Sequence, residues 1–370
     1  MQTSRITVIG PVSAGKTGLI LSMGQCINFP ANSHGFPEGD EFRVVAADAH
    51  DDGEIEFTGA AHMNSEVREY LLQFNNEFKN TAGDASIARK FNFTRDSKGS
   101  ANPLSAEVEI VDTGGEMSDT KYWSQVSDLQ KELRENPNED LKGPLKRALA
   151  FQNFVLSSDA IVMVVPAIGF KEREHVRQFQ TFLSKTTRQE KSRLRRIIVA
   201  WSRIDLLLAP FKHNAADIAH QPELVFQILR TLLQSHHETA QMLDRYDTAA
   251  KGNDPKGVSV HHIAVSSHGF LNETGGANLV FKDDPALYAG TTDDKEGSAK
   301  ENWHPYLAAD PFLCAIFGPK GNRFCFPHSQ LVDTAAGSDE PLENTPDPAD
   351  RRNGRWNKFR IFGFSGSSDG

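Results

Sequence analysis

The chain predicts an α/β fold, a doubly wound and mainly parallel sheet. Three observations point to it. Apolar, β-branched runs alternate with runs of helical spacing along residues 1–317. The octapeptide GPVSAGKT, Gly10 to Thr17, lies between the first such strand and the first helix. Short polar stretches then recur just past the ends of later strands, where ligands of parallel sheets bind.

The elements follow in order. RITVIG is a short β-branched run that stops at Gly10, and KTGLILSMGQC carries Leu19, Ile20 and Met23 at helical spacing. FRVVAAD and EIEFTG predict two strands inside a large insertion over about residues 32–87. Val67, Tyr70, Leu71, Phe74 and Phe78 predict an amphipathic helix over 64–79 with a core-facing stripe. ARKFNFTRD and AEVEIVDTGGE alternate apolar and polar residues and predict a hairpin. Helices are expected over 119–135 and 139–157, broken at NPNED. DAIVMVVPA and RIIVAWSRID read as strands buried on both faces. Between them a helix over 171–190 should turn Val176, Phe179 and Leu183 inward. One helix is expected over 222–245, through Leu224, Ile228, Leu232 and Met242. VSVHHIAVSSHG predicts the last strand, and a helix near 305–317 closes a domain spanning 1–317.

GPVSAGKT matches G-x-x-x-x-G-K-[ST] without a gap. Such a loop curls around phosphate and turns backbone N–H groups inward, and the helix after it adds its positive dipole end. Gly10, Ser13, Ala14, Gly15 and Gly18 would shape the cradle, Lys16 reach the β- and γ-phosphates, and the Thr17 hydroxyl ligate Mg²⁺. Asp112 ends an apolar strand, where a carboxylate holds Mg²⁺ in the Walker B role. Gly115 completes D-x-x-G and offers a backbone N–H to a γ-phosphate, a hydrogen bond that hydrolysis removes.

Two further stretches complete the set: Ser202, Arg203 and Asp205 in SRID, and Ser266, Ser267 and His268 in SSH. With them the sequence resembles P-loop GTPases of the Ras-like and translation-factor-like class, over roughly residues 1–317. The layout is most similar to bacterial GTPases of multi-component systems. The resemblance implies GTP/GDP and Mg²⁺ as ligands and a molecular switch acting on a protein partner. It assigns guanine reading to Asp205, which accepts from N1 and N2, a donor pair adenine lacks. Lys16, Gly115 and Glu116 then form the hydrolytic set.

Departures from the family pattern are specific. Arg203 stands where a Lys covers the base, and Arg can stack there too. Ser202 replaces Asn or Thr, Ser267 replaces Ala, and His268 replaces Lys. Glu116 takes the place of a water-orienting Gln or His; it either aligns water or faces solvent. Val12 obstructs the route of an arginine finger from a partner. SAGK also resembles dynamin-type loops, in which the Ser helps hold a monovalent cation. Thr81, in the loop KNTAGDAS, is the candidate switch threonine for the metal; a turn-capping role is the alternative. The rival functions are a relaxed NTPase or ATPase and a nucleotide-bound scaffold that does not hydrolyse.

Bulk properties narrow the class. With 38% hydrophobic and 24% charged residues the chain suits a globular protein. A net charge of −9 argues against direct DNA binding. Three widely spaced cysteines suit neither a disulfide framework nor a zinc knuckle. The longest apolar run, Ala160–Phe170, contains Pro166 and is too short to span a bilayer, so a cytoplasmic setting without a transmembrane segment is expected. Six basic residues between Lys185 and Arg196 suit a solvated helix end. His261 and His262, as strand neighbours, should face opposite sides. Residues 318–370 form a C-terminal extension. Within it 333–354, rich in Pro, Asp and Glu, reads as a disordered linker. RWNKFRIFGFSG, over 355–366, reads as a docking peptide or as a segment folding back on the core.

Overall fold

The computed structural model describes residues 3–11, 14–27, 34–47, 54–56, 89–98, 103–112, 152–187, 192–252, 257–270, 275–277 and 305–332, with isolated positions between 128 and 149. Strand β1 (Ser4–Ile9) leads into helix α1 (Lys16–Ile27). Then come β2 (Asp40–Ala47), β3 (Glu54–Glu56), β4 (Arg89–Ser97), β5 (Leu104–Asp112) and β6 (Ala160–Pro166). Helix α2 (Glu172–Thr187) and β7 (Arg196–Ser202) follow. After them lie α3 (Ile204–Leu208), a 3-10 segment (Ala209–Asn214), α4 (Ala215–Ala219), α5 (Pro222–Ser235), α6 (His237–Tyr246) and α7 (Thr248–Lys251). The described chain closes with β8 (Ser259–Ala264), α8 (Asp310–Phe317), β9 (Phe326–Pro327) and α9 (His328–Val332).

Among the described residues the strands form one mixed sheet in the order β3-β2-β4-β5-β1-β6-β7-β8-β9. Its centre, β5-β1-β6-β7-β8, is parallel. The hairpin of β4 and β5 is antiparallel, as alternation predicts, and β2 and β3 extend that edge in the same sense. Parallel strands need cover on both faces, and the residues of β6 and β7 carry it: Ile161 to Val165 and Ile197 to Trp201 are fully buried. Helix α2 packs Val176, Phe179, Phe182 and Leu183 inward.

Three expectations need correction. The helix over 222–245 is two helices, because His236 leaves helical geometry at φ −113°, ψ 65°. Its ring is held between Trp201, stacked at 5.8 Å, and Phe170, edge-on at 5.3 Å. Tertiary ring packing there outweighs the continuous apolar spacing. Next, β8 is not the last strand: β9 pairs antiparallel to it, His261 opposite Pro327 and His262 opposite Phe326. Finally, the core does not stop at residue 317, since Phe324, Cys325 and Leu331 are buried in the same cluster. A two-residue strand is too short to announce itself by alternation. Of the basic run, Arg193 pairs with Asp159 at 3.0 Å and Arg196 donates to the Ala315 carbonyl at 2.8 Å, so part of it anchors the fold.

Candidate functional site

Three segments converge at the carboxyl ends of the central strands. The first is the loop between β1 and α1. Gly10 has no room for a side chain, because a Cβ there would lie 2.6 Å from the Val164 carbonyl oxygen of β6. Gly15 sits at φ +89°, a region open to glycine at little cost. Lys16 is buried, and its Nζ donates to the Gly10 and Pro11 carbonyls at 2.9 Å each. The ammonium group is thereby held across the mouth of the loop.

The second segment is the end of β7. Ser202 is buried and donates its hydroxyl to the Ala14 carbonyl at 2.7 Å, which fastens β7 to the loop. Arg203 turns the chain through a left-handed conformation, φ 63° and ψ 34°, which costs a non-glycine residue on the order of 1–2 kcal/mol. That turn drops Asp205 into the interior at 2% exposure. Its carboxylate meets the Ser266 side chain and the backbone N–H groups of Asp205 and Leu206. Burial nevertheless dominates and pushes its pKa up to about 6. One oxygen, Oδ2, is buried with no hydrogen-bond partner among the described residues.

The third segment follows β8. The Ser266 hydroxyl accepts from the backbone N–H of His268 at 3.2 Å and of Gly269 at 2.8 Å. Ser267 lies against the first turn of α1: a Cβ on Gly18 would sit 3.3 Å from its hydroxyl. Burial, and then the charge of Arg203, push the His268 pKa down to about 4. The position where the resembled family carries a cationic Lys therefore holds a neutral ring at neutral pH.

Gly10, Ala14, Gly15, Lys16, Gly18, Ser202, Arg203, Asp205, Ser266, Ser267 and His268 are thus gathered at one end of the sheet. Asp112 closes β5 directly beside β1, with its backbone in register with Val8. Thr17 lies in the first turn of α1. The side chains of Asp112 and Thr17, and Ser13, Thr81, Gly115 and Glu116 entirely, lie outside the described residues, as do the helix expected over 64–79 and everything after 332. Sequence reasoning missed the tether from Ser202 to Ala14 and the close approach of Ser267 to Gly18. Only the replacement of Asn or Thr by another hydroxyl at 202 hinted at the first.

His261 and His262 do face opposite sides of β8. His262 accepts at Nδ1 from the Trp201 indole N–H at 3.1 Å, and its Nε2 lies 2.9 Å from His328 Nδ1. Since Nδ1 accepts, neutral His262 carries its proton on Nε2 and donates it to His328. Burial holds its pKa well below the ordinary histidine value.

No family model and no curated protein sequence matches the chain. No helix among the described residues is long and apolar enough to cross a membrane.

Proposed function

We propose that this protein is a Mg²⁺-dependent GTP-binding and GTP-hydrolysing switch that controls a partner protein. Asp205 carries the reading. A buried carboxylate with one oxygen left unbonded costs stability unless a ligand donates to it. Guanine presents N1–H and N2–H side by side, the donor pair that a carboxylate accepts. The same segment is tied through Ser202 to the loop that holds Lys16, so one ligand can span base and phosphate positions.

Lys16 would exchange the Gly10 and Pro11 carbonyls for phosphate oxygens. Thr17 and Asp112 would hold Mg²⁺, which supplies neutralisation of phosphate charge. Arg203 and the neutral His268 ring flank Asp205 and would cover the base. Hydrolysis then rests on positioning and electrostatics, with Gly115 and Glu116 nearest the γ-phosphate.

Competition binding with a fluorescent GDP tests the reading. GTP should displace the probe and ATP should fail. Asp205→Asn should lose GTP and gain xanthosine triphosphate, whose C2 oxygen accepts from an amide N–H. Equal displacement by ATP, with D205N indistinguishable from wild type, would sink guanine recognition. Single-turnover hydrolysis tests the enzymatic half separately.

A further inference from the structure

Residues 305–310, just ahead of and entering α8, touch several distant parts of the molecule at once. Tyr306 exchanges both backbone hydrogen bonds with Ser266, its N–H donating at 2.8 Å and its carbonyl accepting at 2.9 Å. Its ring is buried, and its hydroxyl donates to the Ala219 carbonyl on α4. Cys26, near the end of α1, donates its thiol to the Pro305 carbonyl at 3.4 Å and accepts the Ala308 N–H at 3.2 Å. Asp310 Oδ1 then accepts the Gly35 N–H at 2.7 Å, in the chain that follows α1.

Gly35 is gripped from its other side as well. The Arg323 N–H donates to the Gly35 carbonyl at 2.9 Å. Asn322 Nδ2 donates to the same Asp310 oxygen, and Asn322 Oδ1 accepts the Phe324 N–H at 2.9 Å. A Cβ on Gly35 would collide with Asn322 Oδ1, so the fit admits no side chain. Beyond Gly35, buried Phe36 lies under the Arg95 guanidinium, 4.9 Å from its ring centroid, and Phe42 of β2 packs on Phe317 of α8 at 6.1 Å. Two features show that this junction is held at a cost. Asp310 is fully buried, and its Oδ2 has no hydrogen-bond partner among the described residues. Leu307, also buried, is left-handed at φ 49°, a conformation that penalises a residue with a Cβ.

We propose that residues 305–310 form a coupling strap: seating of the purine base beside Asp205 and docking of Gly35 on Asp310 favour each other, whether the nucleotide is a diphosphate or a triphosphate. The inference rests on the base-reading role proposed for Asp205. The Ile204 N–H donates to the Val265 carbonyl at 3.3 Å, so the turn that carries Asp205 and the loop that carries Ser266 are joined directly. A base that fixes those two segments also fixes Tyr306 through its paired backbone bonds. Leu307 is the point at which the strap gives. In its left-handed state Asp310 stands where Gly35 and Asn322 meet it; once Leu307 relaxes, Asp310 loses that position and Gly35 is released. A ligand shifts such an equilibrium by its differential affinity for the two states, and the linkage is reciprocal. Docking of Gly35 therefore reports base occupancy, not the γ-phosphate.

Hydrogen exchange of full-length protein, read by mass spectrometry in peptides covering 34–37 and 321–325, tests the strap. Saturating GDP and a saturating non-hydrolysable GTP analogue, each with Mg²⁺, should slow exchange of the Gly35 and Arg323 N–H groups by the same factor, about tenfold. Asn322→Ala removes a donor to Asp310 and belongs to none of the three site segments. In that variant exchange should stay fast with GDP bound, and GDP affinity measured by calorimetry should fall by a similar factor. Gly35→Ala should reproduce both effects from the opposite side of the junction. Unchanged exchange in wild-type protein that calorimetry shows to be saturated with GDP would overturn the strap and leave guanine recognition standing. Slowing by the triphosphate alone would overturn it too, because docking would then follow the γ-phosphate. If neither GDP nor the analogue binds, the reading of Asp205 falls and the strap falls with it.

Discussion

Asp205 offers the sharpest quantitative test. Its folded-state pKa of about 6 lies above the ordinary aspartate value of 3.8. A carboxyl shifted upward binds its proton more tightly when folded, so it favours the native state at low pH and opposes it once ionised. The penalty is fully present above the folded pKa and disappears as pH falls toward 3.8. A shift of roughly two units corresponds to about 3 kcal/mol at neutral pH. Between about pH 7 and about pH 5 the ligand-free protein should regain roughly 1 kcal/mol from this group alone. Other groups titrate in the same window, Asp310 among them, with its pKa pushed up to about 7 by burial. Comparison with Asp205→Asn cancels them. Asn places an N–H where the protonated acid has an O–H, so the variant imitates the acid form at every pH. Denaturant unfolding of ligand-free protein should therefore show a gain from about pH 7 to about pH 5 that is roughly 1 kcal/mol larger in wild type than in D205N. Equal changes with pH in the two proteins would refute the assignment. Nucleotide binding should move the other way. Guanine needs the carboxylate, so wild-type affinity for GDP should weaken about tenfold over that interval.

Lys16→Ala should reduce GDP and GTP affinity by on the order of 100-fold, read by calorimetry with Mg²⁺, because bonds to charged partners are the strong ones. Ser202→Ala removes the donor to the Ala14 carbonyl and should cost about 1–2 kcal/mol in chemical unfolding, with weaker nucleotide binding. Gly10→Ala sets a methyl group 2.6 Å from the Val164 oxygen, and should lower the unfolding temperature by several degrees or prevent soluble expression.

Much of the architecture was legible because backbone periodicity is local. The runs at Arg5–Gly10, Asp159–Ala167 and Arg196–Asp205 announce buried strands, and alternation in the two strands of the hairpin announces their pairing. His236 was not legible: nothing between Leu224 and Met242 interrupts helical spacing, and the break is set by rings from β7 and the loop after β6. Nor was β9, since Phe326 and Pro327 become a strand only against His261 and His262.

By itself the sequence determined the kind of loop that Gly10 to Thr17 make, the alternation of strands and helices, and the residue types at the strand ends. Those properties depend on neighbours a few positions apart. Tertiary structure alone decided that Asp205 is buried with an oxygen left over and that Ser202 reaches Ala14. Burial and unmatched hydrogen bonds are set by which distant segments pack together, and their energetic weight comes from the exclusion of water that packing brings.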